Sequence, residues 1–230
     1  MATMFEQLME LPLFRGVTHQ SLAQIVGEAK FHFEKYQTGD IIVRSGEECV
    51  SITFVISGSV RYTIKNEKVQ LTIAQTLPAP SVISPDFLFG LYTTYPGEAV
   101  ALEDTSILRI SKADYIKILN TDPVFLFNYL NVVSANAQKS LRGILSFTTG
   151  DIAERLAVWF LVVAQPGSTD ISLRCTKEDL SSLLGVSNEV LVEGVRTMKE
   201  MGLLDYSNNE MFVRSRSNIQ YYLQRNIELK

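Results

Sequence analysis

The chain is predicted to fold as α+β: a barrel or sandwich of short antiparallel strands, then a long helix, then a small helical domain closed by a two-stranded hairpin. Three observations predict this. Between Phe31 and Ile110 apolar residues recur with a period of two, and glycine-bearing turns interrupt them at intervals of about 8–12 residues. From Pro123 to Phe147 the apolar spacing changes to three and four. From Thr176 to Tyr206 the chain reads as two helices joined by a sharp turn, with a strand after them.

Residues 4–29 carry a helical pattern, with Phe5, Leu8, Leu11 and Leu13 before the break at Gly16 and Leu22, Ile25 and Val26 after it. Alternation then begins at Phe31 and Phe33. It continues through Ile41-Ile42-Val43, Ile52/Phe54/Ile56, Val60/Tyr62/Ile64 and Val69/Leu71/Ile73, with turns at Gly39-Asp40, Ser45-Gly46, Ser57-Gly58 and Lys65–Lys68. From Leu77 to Gly97 the pattern stops in a segment holding four of the seven prolines, before strand texture returns at Ala99–Ile110. A Pro- and aromatic-rich insertion between strands is either a binding loop or a plug that packs its own rings. As a binding loop it would offer Phe87, Leu88, Phe89 and Tyr95 to an apolar effector.

Asp122-Pro123 opens the long helix, with proline at the first helical position. Phe127, Leu130, Ser134, Ala137, Leu141, Ile144 and Thr148 form a seam with coiled-coil spacing. Val132, Val133 and Leu145 form a second strip. Two strips require two neighbours: the barrel and, as the preferred reading, the same helix of a second copy. Burial within one chain is the alternative. Thr148-Thr149-Gly150 breaks the helix, and Thr149 is expected to cap the next one. Ile152, Leu156, Trp159, Phe160 and Val163 cover more than one face of that helix, which marks it as a core element. The expected segments are therefore 1–121, 122–149 and 150–230.

In the last segment Thr176 and Asp179 make a variant capping box, Gly185 supplies a left-handed stop, and Ser187 caps a second helix on which Leu191, Val195 and Met198 share a face. Leu203–Tyr206, a turn at Ser207–Asn209 and Met211–Arg214 make a hairpin. Helix, strand, helix, turn, helix and hairpin in that order form a winged helix.

Composition bounds the partners. With 46% hydrophobic and 20% charged residues the chain is that of a water-soluble protein, and its longest apolar run, Leu156–Ala164, falls well short of the roughly 20 residues a membrane helix needs. No basic segment precedes an apolar core at the N-terminus, so no secretory signal is expected. Cys49 and Cys175 cannot build a disulfide framework, which favours a cytoplasmic location. The net charge is −4, and residues 150–230 hold nine Lys/Arg against eleven Asp/Glu, which opposes nucleic-acid binding. No nucleophile elbow, P-loop, zinc-protease or dinucleotide motif is present, so no catalytic, metal or cofactor site is expected.

The strand rhythm around Gly39-Asp40, Gly46-Glu47 and Gly58, the Ala101–Asp104 strand with Ile110-Ser111, the long helix, Arg155-Leu156-Ala157 and the turn Gly185-Val186-Ser187 together resemble the bacterial cyclic-AMP receptor protein/FNR family of transcription regulators. The resemblance runs from about Leu11 to Ser217. It implies a β-roll effector domain of the cyclic-nucleotide-binding, jelly-roll type, a homodimer through the long helix, and a winged helix that reads a palindrome in double-stranded DNA. RNA polymerase enters as a further candidate partner.

Two departures qualify what the family implies. Its nucleotide binders carry a Gly-Glu pair and then an Arg-Ser pair around the cyclic phosphate; the aligned positions here hold Ser84-Pro85 and Tyr95-Pro96. A phosphate buried without a countercharge is costly, which argues against cAMP and leaves another small-molecule effector or none. An iron–sulfur cluster needs four cysteines, and His19 and His32 are expected to be ordinary surface or satisfied histidines rather than haem ligands. The recognition helix, 187–201, presents Asn188, Glu189, Val190 and Glu193 where relatives often place arginines. Glu189 can accept from a cytosine amino group and Asn188 can pair with adenine or a phosphate. At about 6 Å from a phosphate Glu193 would be repelled by roughly 2–3 kcal/mol at an effective dielectric near 20. Ser187, Lys177, Arg196, Lys199, Arg214 and Arg216 complete the expected DNA-contacting set, with Arg214 and Arg216 placed on the wing. The alternative is a sensor or protein-interaction module whose winged helix no longer binds DNA.

Overall fold

The computed structural model describes residues 4–146, 150–165, 167–207 and 209–228. In chain order the elements are α1 (Met4–Glu10), α2 (His19–Glu28), β1 (Phe31–Tyr36), β2 (Ile41–Val43), β3 (Ser51–Ser57), β4 (Ser59–Asn66), β5 (Leu71–Pro78), β6 (Ser81–Ile83), β7 (Glu98–Ala101), β8 (Thr105–Ser111), α3 (Lys112–Thr121) and α4 (Pro123–Ser146). There follow α5 (Ile152–Val163), β9 (Ile171–Arg174), α6 (Lys177–Leu184), α7 (Asn188–Glu200), β10 (Asp205–Ser207), β11 (Glu210–Val213) and α8 (Arg216–Glu228). They form two compact units. The first comprises Met1–Tyr62 and Leu77–Ala137, the second Thr63–Thr76 and Gln138–Lys230.

In the first unit β1, β8, β3 and β6 make an antiparallel sheet in that order, and β4, β7 and β2 neighbour one another in a second. Both contribute core side chains with no exposure, Phe54 and Leu108 from one and Val60 and Tyr62 from the other. Gly58 lets β3 reverse into β4. It has φ +80°, and a Cβ there would lie 2.6 Å from the Asp104 carbonyl oxygen. Phe14 packs edge-on against both Phe54 and Phe125, which fastens the N-terminal helices and the start of α4 to this core. The alternation in β1 does not bury Phe33, which is 51% exposed. β1 is an edge strand, and Glu34 and Tyr36 instead turn toward Arg109 of β8.

The second unit holds a surprise for a segment-by-segment reading of the chain. The tip of the β4–β5 hairpin belongs to it. β5 pairs with β9 through Thr72↔Arg174, Ile73↔Leu173 and Ala74↔Ser172. Ile73 is 6% exposed and lies in the same core cluster as Leu156, Phe160, Leu173 and Leu191. Gln75 is fully buried and accepts from the Gln165 backbone N–H at 2.6 Å, while the Asp170 carboxylate accepts from the Thr76 N–H at 2.6 Å.

Two helices absent from the sequence reading are present. α3 follows β8 directly, capped by Ser111 on Asp114 N–H at 3.1 Å. α8 follows the wing and places Ile219 in the core with no exposure. The cap of α5 also differs: Asp151 accepts from Glu154 N–H at 2.8 Å, while Thr148 and the expected cap Thr149 lie outside the described residues. Among the described residues no helix is long and apolar enough to cross a membrane.

Candidate nucleic-acid interface

The helix-turn-helix is built by the capping chemistry its sequence specifies. Thr176 Oγ1 accepts from Asp179 N–H at 3.0 Å and donates to its carboxylate at 2.7 Å. Gly185 takes φ 63°, ψ 40°, and Val186 N–H then bonds Ser181 carbonyl at 3.0 Å, ending α6. Ser187 caps α7 on Val190 N–H at 3.4 Å. Leu191 and Met198 are buried, and Gly194 allows α7 to lie close against α5. A Cβ at position 194 would sit 2.5 Å from Ile152 Cγ2 and 3.2 Å from Ile152 Cβ, so side-chain rotation alone does not relieve it. Gly194→Ala is therefore expected to destabilise the protein by about 1–3 kcal/mol in urea unfolding through overpacking, although alanine in an open helix gains about 1 kcal/mol over glycine. A stabilised variant would mean that α5 and α7 are not tightly apposed.

The opposite side of α7 is exposed. Asn188, Glu189, Val190 and Glu193 are all exposed around it, together with Ser187 at its start. Hydrogen bonding from Ser187, and then from its own backbone N–H, holds Glu189 below the usual carboxylate range. Glu193 is likewise lowered, by Arg196, whose guanidinium grips it at 2.5 and 3.1 Å and also reaches Glu200 at 3.0 Å. The repulsion that Glu193 would feel from a phosphate is thus offset within the helix, and Arg196 is spoken for by two carboxylates. On the wing Arg214 pairs with Asp205 at 2.9 Å. Arg216 is not on the wing: it opens α8, its N–H bonds Thr169 carbonyl at 3.0 Å, and burial lowers its pKa. Among the described residues Lys177 and Lys199 make no ion pair, and Lys177 lies over the Tyr206 ring at 5.3 Å.

In the first unit the positions aligned with the family's phosphate cradle are filled. Ser84 has φ 45° and shares a 2.7 Å hydrogen bond with Tyr62, and Pro85–Phe87 is a single 3₁₀ turn whose Pro85 carbonyl accepts from Tyr129 at 3.0 Å. Tyr62 is fully buried, which raises its pKa to about 12. Tyr95 is buried, donates to Ser51 carbonyl at 3.3 Å and shares a bond with Thr53 at 3.3 Å. The buried part of Arg109 is committed to Glu34, Tyr36, Thr53 and the Ile42 carbonyl. Burial opposes charge on Glu34, but the Tyr36 and Arg109 hydrogen bonds outweigh it and lower the pKa. Of the four loop residues, Leu88 and Tyr95 are core, Phe87 is half-buried, and Phe89 rests edge-on against Tyr129 with Lys112 Nζ 5.0 Å from its ring. Leu91 and Tyr92 stand out, 86% and 77% exposed. His19 and His32 are on the surface, both cysteines are free and buried, and no metal-holding cluster occurs among the described residues.

On α4, Phe127, Leu130, Leu141 and Ile144 are 62%, 46%, 58% and 65% exposed, with Ser134 and Ala137 exposed between them. One apolar stripe of the helix is thus uncovered in the single chain, while Phe125 and Tyr129 are buried on the other side.

Comparison with known proteins agrees with this architecture. Residues 33–122 match the cyclic nucleotide-binding domain and residues 154–220 the Crp-like helix-turn-helix domain. The cAMP-activated global transcriptional regulator CRP of Haemophilus influenzae is 20% identical over 75% of this chain and 80% of its own length. The cAMP-activated global transcriptional regulator Vfr of Pseudomonas aeruginosa is 21% identical over 80% of this chain and 90% of its own. The catabolite activator protein of Thermus thermophilus shares the fold, with a TM-score of 0.52 at 19% identity over 93% of this chain and 98% of that one. With both domains in family order and a capped helix-turn-helix behind them, the chain belongs to the Crp/Fnr family of transcription regulators.

Proposed function

We propose that this regulator acts as a homodimer that reads a palindromic DNA site through the exposed face of α7. The observation that carries the reading is a rigidly capped helix-turn-helix whose second helix turns Asn188, Glu189, Val190 and Glu193 outward. Asn188 and Glu189 are placed to read adenine and cytosine edges, and Val190 to meet a thymine methyl group. Lys177 and Lys199 supply phosphate contacts, with Arg196 and Arg214 weakened in that role by their carboxylate partners. The exposed α4 stripe supports the dimer, and two recognition helices would then enter major grooves about one turn of DNA apart. RNA polymerase is the partner through which such a dimer would act.

The test is selection of genomic fragments by the purified protein at low salt. Enrichment of a shared inverted repeat is expected, with affinity falling steeply as salt rises because phosphate contacts release counterions. The ion pairs that occupy Arg196 and Arg214 favour a second reading, a protein-interaction module; selection that enriches no sequence would favour it.

The effector is a molecule other than cAMP, if one is taken at all. Tyr62 and Tyr95 occupy the aligned cradle, and the nearby Arg109 is fully engaged. A ligand at about 100 times its Kd adds about 2.7 kcal/mol of stability; cAMP is expected to give no thermal shift, and a saturable one would overturn this part. Within the loop Leu88 and Tyr95 are taken up by the core, which leaves the half-buried Phe87 and Phe89 as the proposed effector contacts. A stabilising ligand that binds the first unit should lose its effect in Phe89→Ala.

A further inference from the structure

Under one flank of α7 the second unit contains a cavity of about 230 Å³. Its deep residues, Leu180, Leu191 and Met211, are at most 2% exposed and wholly apolar. Val192, 45% exposed, stands at the opening, and Tyr206 of the wing lines the cavity as well. Lys177 and Lys199 also line it. These are the two cations of this face that make no ion pair among the described residues, whereas the third, Arg196, is held by Glu193 and Glu200.

Size and charge together select an occupant. An apolar cavity of about 150 Å³ holds benzene, so this one suits a body of one or two rings or a short acyl chain. A neutral guest would leave both ammonium groups without a countercharge, Lys177 having only the Tyr206 ring over which it lies. A nucleotide or other polyanion would bury polar atoms against Leu180, Leu191 and Met211 at considerable cost. We infer that this cavity is a binding site for a compact apolar carboxylate, its body on Leu180, Leu191 and Met211 and its carboxylate between Lys177 and Lys199.

Such a ligand would take from DNA the same two ammonium groups assigned to phosphate contacts. That consequence rests on the DNA-binding reading; the site itself does not. The ligand is also wedged between α7 and the wing, so it acts on the reading head directly.

The experiment is calorimetric titration of the full chain with 1-naphthoate, and separately with octanoate, using 1-naphthamide as the neutral control. Saturable binding of at least one carboxylate is expected, with the amide about tenfold weaker for want of charge-assisted hydrogen bonds. Val192→Trp, a change at an exposed position that fills the mouth, should abolish binding while leaving the thermal unfolding curve in place. Lys177→Gln combined with Lys199→Gln should weaken it by about tenfold or more. The inference is overturned if neither carboxylate binds, or if Val192→Trp binds as well as wild type. Fragment binding measured without carboxylate separates the two readings: a chain that binds naphthoate but no DNA overturns only the DNA reading.

Discussion

Ile73→Ala is expected to destabilise the C-terminal unit by about 2–5 kcal/mol, the range for a buried large-to-small change, even though Ile73 lies on a hairpin rooted in the strands of the N-terminal half. Its side chain is 6% exposed within the same core cluster as Leu156, Phe160 and Leu173, and its backbone partner is Leu173 on β9. The loss of its two Cγ atoms and its Cδ there opens a cavity, and the packing between β5 and β9 loosens. Urea unfolding followed through Trp159, a residue of this core, is a direct readout, and amide exchange along β9 should accelerate. Lys68→Ala at the exposed tip provides the contrast and should stay within about 0.5 kcal/mol of wild type. Equal effects from the two substitutions would show that the hairpin tip is not a structural part of this unit.

The second large effect is expected from Leu141→Asp. Leu141 is 58% exposed toward the C-terminal end of the uncovered α4 stripe, so an aspartate there costs the single chain little and leaves its circular dichroism unchanged. Across a symmetric interface it would face its own copy and place two carboxylates in an apolar seam. Sedimentation should report monomers. Affinity for a palindromic site should fall by about 10²–10⁴, the advantage that joining two half-site binders confers. A variant that remains dimeric would move the interface off this stripe.

Much of the fold is legible because local signals and tertiary structure agree. Thr176, Gly185 and Ser187 are recognisable as caps and stops, and each behaves as one. On α4 the seam of Phe127, Leu130, Leu141 and Ile144 is exposed, but the strip of Val132, Val133 and Leu145 is not the covered one: Phe125 and Tyr129 are buried instead, Val132 and Val133 are half-buried, and Leu145 is 56% exposed. What escaped detection is long-range. A period of two shows that Leu71 and Ile73 share a face, but not which body covers that face, and their cover comes from the other half of the chain. α8 did leave a signal, Ile219, Tyr222 and Leu223 at helical spacing, which a reading that stops at the wing passes over. Arg216 looked like a wing cation because it follows a strand; the immediate start of α8 turns it inward instead. The pairing of Glu193 with Arg196 was foreseeable from their spacing of three, and it changes the reading of the site: the acidic helix carries its own neutralisation. The cavity beneath α7 had no sequence signature, since Leu180, Leu191 and Met211 look like ordinary core residues until the gap between them is measured.

The two close helix approaches lead to a further expectation. Gly143 of α4 lets Val162 of α5 come within 2.7 Å of where a Cβ would be, and Gly194 of α7 does the same for Ile152 at the other end of α5. With no glycine side chain to give way at either contact, the end of α4, α5 and α7 are held closely together; in the proposed homodimer they would act as a caliper, with α4 as the hinge pin and the two copies of α7 as its points. Thickening the joint with Gly143→Ala should then alter how far apart the points stand rather than how strongly each one grips. In a selection among inverted repeats, the variant's preferred gap between half-sites should shift by a base pair while the half-site sequence stays the same.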